Sequence, residues 1–178
     1  MPAADRFFVD TNVLLYSVDG SQPAKQARAR AWLELLWENA AGRLSWQVLH
    51  EFYANAERKA GMARPAARRL VEVFAQWGPV ETSLGLIQQG WRWMDSAQLS
   101  YWDSLIVAAA ERAGCAWLLS EDFQASRRFG AVTVVNPFVR EPAEFGLARR
   151  RGTGLQPVGR GTGLQPVGRG TGLQPVRQ

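Results

Sequence analysis

The sequence holds a single cysteine, Cys115, and a single histidine, His50. A lone thiol cannot close an internal disulfide, and a lone imidazole cannot complete a zinc cage of Cys and His ligands. Both scarcities favour a reducing compartment, and the chain reads as cytoplasmic. No run of 18 or more apolar residues occurs, so no membrane-spanning helix is expected. Asp5 and Arg6 precede only a short apolar stretch, which does not resemble an export signal. A glycine-rich phosphate cradle is absent too. By contrast, 47% hydrophobic and 11% aromatic residues in 178 positions supply the core of one domain and exclude global disorder.

The formal charge of +5 invites a nucleic-acid partner, but its location weakens that clue. Residues 151–178 contain four arginines and no acid, leaving 17 basic residues against 16 acidic ones elsewhere. Any case for RNA must therefore come from chemistry within the first 150 residues. The last 28 residues repeat RGTGLQPVG from Arg151 and Arg160, and RGTGLQPVR from Arg169. Only Leu and Val are apolar in each unit, too little to offset the ordering of a glycine-rich backbone. The expected organisation is a folded domain over 1–148 and a disordered repeat tail over 149–178.

The domain alternates β-like runs with helical stretches, the pattern of an α/β fold with a mostly parallel sheet. Strands are expected at Arg6–Val9, Ala116–Leu119 and Val132–Val135, with Leu44–Trp46 as a brief strand or a helix lead-in. VLLYSV after Asn12 reads as helical, and Ala24–Asn39 as a long helix with Trp32, Leu33, Leu36 and Trp37 on one side. Gln47–Lys59 carries an apolar stripe of Leu49, Phe52, Tyr53 and Ala56. Further helices are expected from Pro65, over Leu84–Ser96 and over Tyr101–Ala113, the last closed by Gly114.

Two expected strands run into acids. FFV is followed by Asp10, and WLL by Ser120, Glu121 and Asp122, so both would reach the carboxyl edge of the sheet, where open α/β folds bind ligands. Helix capping competes as an explanation for Asp10, and a turn or cap for Asp122. Asp103 shares a helix face with Ile106, Val107 and Ala110, so an acid heads an apolar stripe and needs a partner. Ser100 three residues earlier offers a capping-box alternative. Glu51 lies with Val48 and Asn55, away from the apolar stripe, which suits a solvated face or a water-filled cleft equally. If the acids converge, two charges about 4 Å apart repel by roughly 4 kcal/mol at an effective dielectric near 20, and a cation resolves the conflict. All-oxygen ligands select Mg²⁺ or Mn²⁺, the ions of phosphodiester hydrolysis.

FVDTNVLLY at 8–16, HEFY at 50–53, YWDSLIVAAA at 101–110, LLSEDF at 118–123 and VVNPF at 134–138 together resemble a PIN-domain ribonuclease, specifically a VapC-type toxin of a toxin–antitoxin pair. The resemblance implies a three-layer α/β/α sandwich and a Mg²⁺- or Mn²⁺-dependent endoribonuclease. It implies RNA as substrate, a cognate antitoxin protein and frequent homodimers. It sets the acidic metal and catalytic site on Asp10, Glu51, Asp103 and Asp122, with Glu121 as an alternative fourth acid. Thr11, Asn12 and Ser120 become supporting donors, Asn12 orienting a carboxylate or water. Arg127 and Arg128 either contact substrate backbone or are simply solvated. Eight tryptophans exceed what the core needs, leaving some for a dimer or antitoxin groove. A non-catalytic RNA- or partner-binding module and a solitary RNA-processing nuclease remain the alternatives. A phosphatase of the haloacid dehalogenase type is disfavoured, since Asn12 stands where it needs a second acid.

Overall fold

The computed structural model describes residues 5–149; the nonapeptide repeat, with the expectation of disorder there, lies outside the described residues. Strands buried on both faces read as unbroken apolar runs, and the central strands obey this rule. In chain order the strands are β1 (Phe7–Val9), β2 (Gly42–Arg43), β3 (Trp117–Leu119), β4 (Arg128–Phe129) and β5 (Val132–Val135). They form one sheet in the order β2-β1-β3-β5-β4, parallel throughout except for β4 against β5. Six helices flank it: α1 (Thr11–Val18), α2 (Pro23–Glu38), α3 (Trp46–Ala60), α4 (Arg64–Ala75), α5 (Leu84–Ala97) and α6 (Tyr101–Arg112). The architecture is the α/β/α sandwich with a mostly parallel central sheet. Among the described residues no helix is long and apolar enough to cross a membrane.

Local chemistry sets the helix starts. Ser83 and Ser100 cap α5 and α6 by accepting N–H groups three residues on, and Ser45 does the same for α3. Gly61 closes α3 in the left-handed conformation at φ 60°. The core is aromatic at one end of the sheet: the Phe7 ring lies 5.8 Å from Trp32 and 6.0 Å from Phe145. Trp32 is buried and donates its indole N–H to the Pro137 carbonyl at 3.0 Å. Burial of α6 is deeper than amphipathicity alone requires, since every residue from Ser104 to Ala110 is buried.

Several sequence expectations shift. Of the two readings of Leu44–Trp46 the helix lead-in holds, since Ser45 caps α3 and Trp46 begins it, and the short strand lies just before, at Gly42–Arg43. Gly42 is required there, because a Cβ would fall 2.5 Å from the Trp77 ring. The stripe on α3 loses Tyr53, which is 39% exposed although Arg68 of α4 lies beside it, its Nε 3.4 Å from the Tyr53 hydroxyl. Trp37 is likewise partly exposed, packed edge-on against Phe74 and tilted against Trp77. Strand β4 is new, and two residues carry no periodicity by which to find it. Arg127 is bound into the fold, donating to the Ala97 carbonyl and lying over the Phe129 ring, whereas Arg128 stays exposed.

Candidate active site

Parallel strands deliver their carboxyl ends to one edge, and both acid-bearing loops emerge there. The Asp10 N–H bonds to the Leu119 carbonyl at 3.1 Å and the Ser120 N–H to Val135 at 3.1 Å, extending the ladder one residue beyond each strand. Asp10 is the N-cap of α1 as well, its Oδ1 accepting the Thr11 N–H at 2.7 Å. Its Oδ2 accepts the Ser120 hydroxyl at 2.7 Å and the Asn12 amide at 3.0 Å. Asn12 Nδ2 also lies 3.0 Å from Ser120 Oγ and 3.0 Å from Asp122 Oδ2. One amide thus ties the two strand-end acids together. The Asn12 carbonyl oxygen is buried with no partner among the described residues.

Glu51 and Asp103 reach the same place from helices. Thr11 Oγ1 donates to Glu51 Oε2 at 3.0 Å, and Gln47 Nε2 donates to Glu51 Oε1 at 2.9 Å. Asp103 gives its N–H to the cap residue Ser100, while its carboxylate has no protein donor among the described residues. The apolar stripe below it, Ile106, Val107 and Ala110, is buried, so α6 passes from core to cavity within its first turn.

Asp10, Glu51, Asp103 and Asp122 line one cavity of about 160 Å³ with Thr11, Asn12 and Trp102. Three more positions, beside Glu51, complete a pattern that sequence reading misses. Gln47, Glu51, Asn55 and Lys59 recur every fourth residue and all line the cavity, a polar ridge along α3. The i, i+4, i+8, i+12 spacing of polar residues flanking the Leu49 and Phe52 face was the available signal. Glu121 faces elsewhere: its Oε2 accepts Lys25 Nζ at 2.6 Å, and that ammonium also lies 3.0 Å from the Tyr16 hydroxyl. Asp122 is therefore the acid of this loop that lines the cavity.

Burial pushes the Asp10 carboxyl from 3.8 up to about 6. Hydrogen bonds from Ser120 and Thr11 pull the other way, while the charges of Asp122 and Glu51 add to the rise. The site thus carries more negative charge than its own donors satisfy. Its ligand set is all oxygen, which suits a hard divalent ion. Among the described residues no three carboxylates, thiols or imidazoles draw together into a ready-made cage.

Asn12 sets the relative orientation of Asp10 and Asp122, so Asn12→Ala is expected to weaken binding of a divalent ion by roughly 10- to 100-fold, as when outer-shell partners of a metal site are removed. Titrating Mn²⁺ while following the melting temperature checks this, because a positioning role raises the half-saturating ion concentration and a purely structural one does not.

No curated protein matches the chain. The PIN domain profile matches residues 7–129, a span that holds all six helices, four of the five strands and all four cavity acids. The chain belongs to the PIN domain family, whose members are generally nucleases.

Proposed function

We propose that this protein is a Mg²⁺- or Mn²⁺-dependent endoribonuclease that hydrolyses RNA phosphodiester bonds, and that it serves as the toxin of a toxin–antitoxin pair. The observation carrying the catalytic reading is the cavity itself. Acids from four distant segments line it, and one of them is held near pKa 6 by burial and by its neighbours' charge. Structural acids are rarely arranged at such electrostatic cost without use.

Asp10, Asp103, Asp122 and Glu51 are the residues that would hold the ion. When bound, the ion supplies Lewis acidity toward the phosphate oxygens and lowers the pKa of the attacking water. The protein fixes the geometry: Thr11 N–H and the Ser120 hydroxyl hold Asp10 from two sides, Asn12 spaces it from Asp122, and Thr11 and Gln47 hold Glu51. Preset donors of this kind need no reorganisation as charge develops.

The toxin role rests on the order and spacing of the sequence motifs. It is supported by α5, which exposes Leu84 and Trp91 as apolar surface for an antitoxin or a second copy.

Purified full-length protein should cut RNA with millimolar Mg²⁺ or Mn²⁺, stop in excess EDTA, and resume when Mn²⁺ is restored. Undiminished cleavage in EDTA rejects the metal-dependent reading.

A further inference from the structure

Lys25 stands in the first turn of α2, far in sequence from the strand-end acids, yet its ammonium reaches the residue before Asp122. Its Nζ lies 2.6 Å from Glu121 Oε2 and 3.0 Å from the Tyr16 hydroxyl. The same ammonium is 4.2 Å from the centre of the Tyr16 ring and 5.2 Å from that of Phe138, within the range of cation–π attraction. Those rings meet edge-on at 5.0 Å, and the Phe138 N–H is fixed by Asn136 Oδ1 at 2.9 Å. Four segments thus converge on one cation: α1, α2, the loop after β3 and the loop after β5. An ordinary surface ion pair contributes little to stability, so the place of this one in the fold is what marks it. The other polar side-chain bonds of residues 120–122 join them to Asp10, to Asn12 or to one another. Glu121 supplies the single polar side-chain tie that leaves the acidic site, among the described residues.

We propose that Lys25 is a positioning residue: by pinning Glu121 against Tyr16 and Phe138 it keeps that carboxylate out of the cavity and aims Asp122 into it. Two adjacent acids follow Ser120 at the ligand edge of the sheet, and only Asp122 lines the cavity. A partner outside the cavity is what selects between them. Without its ammonium, Glu121 is a largely covered carboxylate with no compensating charge, and the loop relaxes to hydrate it. Asp122 then moves against Asn12, and a shift of about 1 Å is enough to matter at a reacting centre. The proposal rests on the acidic cavity holding a divalent ion, and adds to that reading a residue outside the cavity that sets one of the ligands.

The test uses the full-length chain with Lys25→Met, with Glu121→Leu and with both, read in two ways. Amide hydrogen exchange over residues 118–124 in EDTA follows the loop without any ion. Lys25→Met should speed exchange there and leave α5 unchanged. The melting temperature as Mn²⁺ is added follows the ion's affinity without catalysis. Its half-saturating concentration should rise roughly 10-fold in Lys25→Met protein, the lower end of what an outer partner of a metal site costs when lost. Because Lys25 acts through Glu121, the double variant should be no worse than either single one. Lys25→Arg, which keeps a cation over the two rings, should recover most of the parental behaviour. Arg64→Met, which removes the exposed pair with Glu57, should change neither reading.

Unchanged exchange over residues 118–124 in Lys25→Met protein overturns the proposal. So does a double variant whose loss is the sum of the single ones, which would give the ammonium and the carboxylate separate tasks. Faster exchange with an unaltered Mn²⁺ midpoint also overturns it, reducing the pair to a local brace. A parent whose melting temperature ignores Mn²⁺ sinks the metal-dependent reading, while exchange in the single and double variants still decides whether Lys25 orders the loop through Glu121.

Discussion

On the proposed ribonuclease reading, Asp10→Asn and Asp103→Asn are each expected to lower metal-dependent RNA cleavage by on the order of 10³-fold, with thermal unfolding followed by circular dichroism still cooperative. Charge loss is the cause, since both substitutions conserve shape. Asp103 is the cleaner position, because its carboxylate takes no hydrogen bond from a protein donor among the described residues, so the amide costs no packing. At position 10 the fold compensates. The Ser120 hydroxyl can rotate to accept, and Asn12 can turn its unpartnered carbonyl oxygen toward the new amide. In cells, induction of the parent should arrest growth and induction of either variant should not. Purified Asp103→Asn protein cutting RNA at the parental rate removes the catalytic assignment.

The second large effect is on stability. A carboxyl raised from 3.8 to about 6 binds its proton more tightly in the folded state than in the unfolded one. Above about pH 6 both states are ionised at Asp10, and the folded state carries the full cost of a buried charge. As pH falls through 6 that cost is relieved, and the gain is complete below 3.8. One pKa unit is worth about 1.4 kcal/mol, so the contribution approaches about 3 kcal/mol. Asp10→Asn protein in EDTA should therefore be the more stable of the two at pH 7.5, should keep roughly half of that advantage at pH 5, and should lose it only as the pH falls below 3.8. Mn²⁺ at pH 7.5 should stabilise the parent and not the variant. Urea denaturation at both pH values reads the difference directly. Parallel pH dependences for parent and variant would show that the Asp10 charge is already compensated without an ion.

Most of the sheet was legible because a buried parallel strand has to be an apolar run, and FFV, WLL and VTVV leave little choice. The strand-end acids were legible for the same reason: where the run stops, the next side chain stands at the ligand edge. Asp103 declared itself by heading an apolar face. Glu51 did not, since periodicity places a residue on a helix face without saying whether that face meets bulk water or a cleft. The same ambiguity hid Gln47, Asn55 and Lys59, whose common side is defined only once α1 and α6 stand across from α3. Tyr53 erred in the opposite direction, because α4 comes beside it without enclosing it, and residue type does not say how fully a neighbour covers a side chain. Trp102 was quoted within a motif but not weighed, since exposure cannot be read from residue type.

The strand order has a consequence for synthesis. β1, the earliest strand to leave the ribosome, pairs on one side with β3, and Phe7 waits for Trp117 before that edge is closed. Asp10 obtains its Ser120 and Asn12–Asp122 tethers only after that event. A nascent or prematurely released chain ending before residue 117 would hold three of the acids and no assembled cavity.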